Sequence, residues 1–119
     1  MNLKFVNLCF YLCVVVAPYL VHVSENMASA IGSTVRLDCQ FYGVPTPEIS
    51  WAKDSYVLWS AARVSVSGGT VFISQVVAED AGLYQCWADS DAGIEYTVIR
   101  LVVEPVLTTF LPIVQQTGQ

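Results

Sequence analysis

Apolar and polar residues alternate strictly along residues 34–41. Val35, Leu37, Cys39 and Phe41 fall on one side, and Thr34, Arg36, Asp38 and Gln40 on the other. A period of two with one polar face is the pattern of a half-buried antiparallel strand. The run Gly43-Val-Pro-Thr-Pro47 breaks it, because proline fixes φ and removes a ladder donor. Alternation resumes over residues 48–53 with Ile49 and Trp51 inward; Asp54 and Ser55 supply a turn, and residues 56–60 fit a short edge strand. Residues 63–66 and 70–75 flank Ser67-Gly-Gly69, which predicts a hairpin with Val64, Val66, Val71 and Ile73 toward the core. Residues 77–82 have room for one helical turn. Tyr84, Cys86 and Ala88 alternate inward on the next strand, residues 89–93 form a second hairpin, and residues 94–104 make a last strand. Seven or eight short strands with regular turns and no long helical period predict an all-β sandwich.

The 55% hydrophobic content is high for a chain of 119 residues, and much of the excess lies in residues 5–23. Lys4 precedes an apolar core over residues 5–16 broken only by Asn7, and Pro18 ends it, the layout of a secretory signal peptide. We expect residues 1–22 to be that leader, although Ala17 with Val15 satisfies the small-residue preference only by putting Pro18 after the cut. The alternative is an uncleaved signal anchor, since residues 5–23 approach the ~20 needed to span a hydrocarbon core with Lys4 on the cytoplasmic side. The expected organisation is therefore leader 1–22, one domain over 24–104, and a tail or linker over 105–119, which has no alternation. The length leaves room for one domain.

From Ser24 onward four basic residues face ten acidic ones, leaving six net negative charges. Nucleic acid is disfavoured as a partner, because a phosphate-binding surface needs clustered Lys and Arg. Cys9 and Cys13 sit in the leader; Cys39 and Cys86 remain, and in an oxidising compartment they are expected to pair. Two cysteines without nearby histidine do not complete a zinc site. His22 is the sole histidine, so no Ser-His-Asp or Cys-His arrangement can be assembled, and neither catalysis nor a cofactor is expected. Asp89, Asp91 and Glu95 cluster at one hairpin, but no calcium loop is present and no metal is expected. None of the asparagines begins an Asn-x-Ser/Thr acceptor.

Three joint motifs carry a resemblance: Gly32-x-x-Val35-x-Leu37-x-Cys39, Gly43-x-Pro45-x-Pro47-x-Ile49-x-Trp51, and Val71-x-Ile73-x-x-Val76 followed by Asp80-x-Gly82-x-Tyr84-x-Cys86. Over residues 31–104 the chain resembles the immunoglobulin superfamily, and within it the I-set. One departure is Ser90, where many I-set domains have Asn. The resemblance implies a Greek-key β-sandwich of two antiparallel sheets joined by one disulfide, Cys39 with Cys86. It makes Trp51, Tyr84 and Leu37 structural core, with Trp51 against the disulfide and the Tyr84 hydroxyl closing a corner. It also pairs Arg63 with Asp80.

With Tyr84 and Cys86 inward, Gln85 and Trp87 point outward, beside Tyr96, Val98 and Arg100 on the last strand. Ser50 and Ala52 are expected as their outward neighbours, with Tyr56, Leu58 or Trp59 at the edge. That composition suits a protein-binding hot spot. The resemblance implies a secreted or cell-surface recognition or adhesion module, similar to one-domain proteins of neuronal and synaptic surfaces. Its partner would be a cell-surface receptor, an adhesion molecule, a matrix component or a second copy, with membrane contact only if the leader is an anchor. A second reading is the N-terminal module of a larger adhesion receptor or matrix protein. A third is a repeat of a giant intracellular muscle protein, which the leader and the paired cysteines oppose.

Overall fold

The computed structural model describes residues 14–105. Residues 1–13 of the expected leader and residues 106–119 of the expected tail lie outside the described residues. Nine strands are described: β1 Val16–Val23, β2 Met27–Ala30, β3 Val35–Val44, β4 Glu48–Lys53, β5 Tyr56–Val57, β6 Val64–Ser67, β7 Thr70–Ile73, β8 Gly82–Ser90 and β9 Gly93–Glu104, with one 3₁₀ turn at Ala78–Asp80. They form a four-stranded sheet in the order β1-β3-β7-β6 and a five-stranded sheet in the order β2-β9-β8-β4-β5. The fold is the expected all-β immunoglobulin-like sandwich.

Alternation places the core between the sheets. Val35, Leu37 and Cys39 of β3 and Val71 and Ile73 of β7 bury against Trp51 of β4, Tyr84 and Cys86 of β8, and Ile99 and Leu101 of β9. Cys39 and Cys86 form the disulfide that ties the two sheets, with Cα atoms 6.6 Å apart. It closes a 47-residue separation, which in the chain-entropy account stabilises the fold by roughly 4 kcal/mol.

The turns follow local chemistry. Ser67 and Thr70 pair across the β6–β7 hairpin, so Gly68-Gly69 is a two-residue loop, and Gly68 takes φ +54° as such loops require. Its carbonyl accepts a 2.9 Å hydrogen bond from the Trp51 indole N–H, which satisfies the one polar atom of a buried ring. Asp54 and Ser55 both adopt positive φ between β4 and β5, and short polar side chains tolerate that region best.

Two features differ from the sequence reading. Residues 16–23, assigned above largely to the leader, form β1, an edge strand paired antiparallel to β3 from Val16↔Val44 to Val23↔Cys39. An apolar edge strand and a leader core have the same composition, and Pro18, read as the end of a leader, is buried at an edge position where a missing N–H costs no ladder bond. The structured unit thus begins by Val16, ahead of the expected start at residue 24. The second feature is β2, which runs parallel to β9 from Met27↔Leu101 to Ala30↔Glu104. Between them, residues 24–26 carry the chain from one sheet to the other, and Ser24 holds the crossing: its N–H donates to the Asp38 carbonyl and its hydroxyl accepts from the Asp38 N–H.

Candidate protein-binding face

The framework beneath the face is set by an ion pair and a tyrosine. Arg63 donates to Asp80 through two nitrogens, at 2.9 and 3.1 Å, and the Val77 N–H adds a third bond to that carboxylate at 2.8 Å. Burial works against the Asp80 carboxylate, but these bonds outweigh it and hold its pKa below the usual value. The Tyr84 hydroxyl donates to the Asp80 carbonyl at 2.5 Å; burial, then the Asp80 and Asp54 charges, push its pKa upward. The expected Arg63–Asp80 pair and the Tyr84 corner are thus both present. Leu37, Trp51 and Tyr84 are fully buried, and these side chains position the sheet without facing a partner.

On the outer side of the five-stranded sheet, register brings the expected residues into rows. Ser50, Trp87 and Tyr96 lie side by side on β4, β8 and β9; Ala52, Gln85 and Val98 form the next row, with Val57 beyond Ala52. Leu83 and Arg100 follow at one end, and Glu48, Asp89 and Ile94 make the row at the other. Tyr96 is 59% exposed, Val98 and Val102 44% each, and Ile94 66%. Gln85 and Trp87 are half-buried, flanked on both sides by neighbouring strands, so the open apolar surface centres on β9. Ala52 is outward yet buried, because a methyl group between Gln85 and Val57 stands below its neighbours. Arg100 is exposed, and its backbone N–H donates to the Asn26 side chain at 2.8 Å, fixing β9 against the β1–β2 crossing.

At the sheet edge Tyr56 and Trp59 are exposed, whereas Leu58 turns in and packs on the core. Trp59 borders an open cleft of about 620 Å³ shared with Glu48, Ser50 and Val57. Ile94, Glu48 and Asp89 complete the face but escaped the sequence reading; carrying the β9 alternation one step back would have found Ile94. The opposite sheet also bears apolar surface that the leader assignment hid. There Tyr19 and Tyr42 rings lie 5.6 Å apart, and Arg36 sits over Phe72. The acidic hairpin residues Asp89, Asp91 and Glu95 do not converge. Among the described residues no cluster of His, Cys, Asp or Glu is placed to hold a metal.

Comparison with known proteins places this sandwich. The family model for the immunoglobulin I-set domain matches residues 18–103, including most of β1. The chain is 33% identical over 85 residues to "Cell adhesion molecule-related/down-regulated by oncogenes" of Xenopus laevis, covering 71% of this chain and 7% of that protein. It is 37% identical over 90 residues to human vascular endothelial growth factor receptor 1, covering 74% of this chain and 7% of the receptor. The chain therefore spans less than a tenth of the length of these curated relatives. Among solved structures, extracellular domains 3–5 of Drosophila OTK superpose with a TM-score of 0.71 at 33% identity, over 76% of this chain and 33% of that one. The domain is similar to those of adhesion molecules and receptors, and the chain belongs to the immunoglobulin I-set family.

Proposed function

We propose that this domain is a protein-recognition or adhesion module working outside the cell or at its surface, and that it binds through the outer face of the β2-β9-β8-β4-β5 sheet. The observation that carries the reading is the open apolar strip of Ile94, Tyr96, Val98 and Val102 on an otherwise acidic domain. Aromatic and aliphatic side chains on a surface, beside an arginine such as Arg100, are the residue types that dominate binding energy at protein interfaces. Residues upstream of Val16 would then direct the chain into the secretory pathway, either as a cleaved leader or as an anchor. A cell-surface receptor, an adhesion molecule or a matrix component fits this surface, and the family resemblance extends the proposal to neuronal and synaptic contacts. A second reading, a recognition module within a larger adhesion receptor, is favoured by the small share of its long relatives that the chain spans.

Fluorescent beads coated with the secreted full chain, presented to a panel of cultured cells, test the proposal. Tyr96→Ser and Val98→Lys should remove bead binding while leaving the melting curve in place, since exposed substitutions usually change stability by less than about 0.5 kcal/mol. Binding that persists unchanged in both variants refutes the assignment to this face.

A further inference from the structure

Charge is laid out unevenly on the outer face. Glu48 and Asp89, both exposed, occupy the row at one end, with Asp91 and Glu95 beside the same hairpin. Arg100 occupies the row at the other end. Asp54, which accepts from the Leu83 N–H of that row at 3.0 Å, is already held by Lys53 at 2.9 Å, and among the described residues Arg100 forms no ion pair. Between the two ends the exposed side chains are apolar or uncharged. Six residue steps along β9 lead from Ile94 to Arg100, about 20 Å at the rise of a strand.

Resting on the reading of this face given above, we infer that its partner is a second copy of this chain, docked face to face in the antiparallel sense. A two-fold axis passing between the Trp87–Tyr96 row and the Gln85–Val98 row carries the acidic row of one copy onto Arg100 of the other, at both ends at once. The Trp87–Tyr96 row of each copy then covers the Gln85–Val98 row of its partner. The parallel arrangement sets Arg100 against Arg100 and acid against acid, and like charges brought together at an interface reject a pairing. The contact is isologous and closed, so it yields a dimer with no open-ended chain of copies. Four strands spaced about 4.8 Å apart over about 20 Å make on the order of 400 Å² of sheet per copy. That sum for two copies falls below the range of permanent interfaces and within that of transient encounters. The dimer therefore forms and dissociates with concentration.

Sedimentation velocity on the secreted full chain over a concentration series reads this directly. Arg100→Glu alone, and Glu48→Lys with Asp89→Lys, should each weaken self-association by roughly tenfold or more, because each places like charges across the axis. Mixing the two variants should restore dimers, since every like-charge contact becomes an unlike one; no effect confined to a single copy predicts that rescue. A wild-type chain that stays monomeric throughout, or a mixture that stays monomeric, overturns the inference. If the wild type is monomeric while Tyr96→Ser still abolishes bead binding to cells, the face survives as a binding site with a different protein as its partner. If dimers form and neither the charge variants nor Tyr96→Ser affects them, the pairing lies on another surface and the inference is overturned.

Discussion

Asp80→Asn tests whether the ion pair beneath the β7–β8 corner acts as described. The substitution keeps the shape of the side chain but removes its charge and replaces one acceptor oxygen with a donor. The Asp80 carboxylate accepts three hydrogen bonds, two from Arg63 and one from the Val77 N–H, and its side chain is only 11% exposed. At least one bond to Arg63 is lost and the others lose their charge assistance. Bonds to charged groups contribute about 1.5–3 kcal/mol each, so a loss of about 2–3 kcal/mol is expected. For a domain of this size that lowers the melting temperature by roughly 10–20 °C. The buried Trp51 supplies the fluorescence signal for denaturant unfolding at neutral pH. The pH dependence follows from the depressed pKa: the folded value lies below the unfolded ~3.9, so the contribution is complete well above pH 4 and is lost as pH falls through the folded value. The gap between wild type and Asp80→Asn should therefore narrow in acid. A difference under about 0.5 kcal/mol at pH 7, or a gap that widens on acidification, would falsify the account.

Two further outcomes concern the framework. Replacing Cys39 and Cys86 together with Ala should cost roughly 4 kcal/mol by the chain-entropy estimate, with part of the loss offset if the small side chains repack, as read from chemical denaturation. A chain begun at Ser24, lacking β1, should melt well below one begun at Val16, because the buried Pro18 and the core-packed Val23 are removed and β3 is left as an open edge. The mass of the secreted chain should correspondingly retain Val16–Val23; equal melting of the two chains, or a mature chain lacking that strand, contradicts the role given to β1.

The inward half of the molecule was legible because alternation and spacing speak directly about burial. Val35, Leu37 and Cys39 on β3, and Tyr84, Cys86 and Ala88 on β8, sit where the period of two puts them. Arg63 with Asp80 followed from the resemblance, since the two lie 17 residues apart with no local signal joining them. β1 was not legible, for its apolar run satisfies the pattern of a leader as well as that of an edge strand. The Trp51–Gly68 bond was also hidden, because the hairpin carbonyl that meets the indole is chosen by the packing of the two sheets. On the outer face the direction of each side chain could be read, but its exposure depends on the height of its neighbours. Trp87 is consequently less open, and Ile94 more so, than alternation alone conveys.

The parallel pairing of β2 with β9 has a mechanical consequence. Parallel partners begin at the same end of the sheet, so the start of β2 and the finish of β9 lie at opposite ends of their shared ladder. Tension drawn between Met27 and Glu104 slides one strand along the other and loads the ladder bonds together, in shear. An antiparallel pair pulled at its adjoining ends opens one bond after another, like a zipper. The bond from the Ile31 N–H to the Glu104 carbonyl, at 3.0 Å, extends that shared ladder by one rung, at the point where the strand leaves the domain.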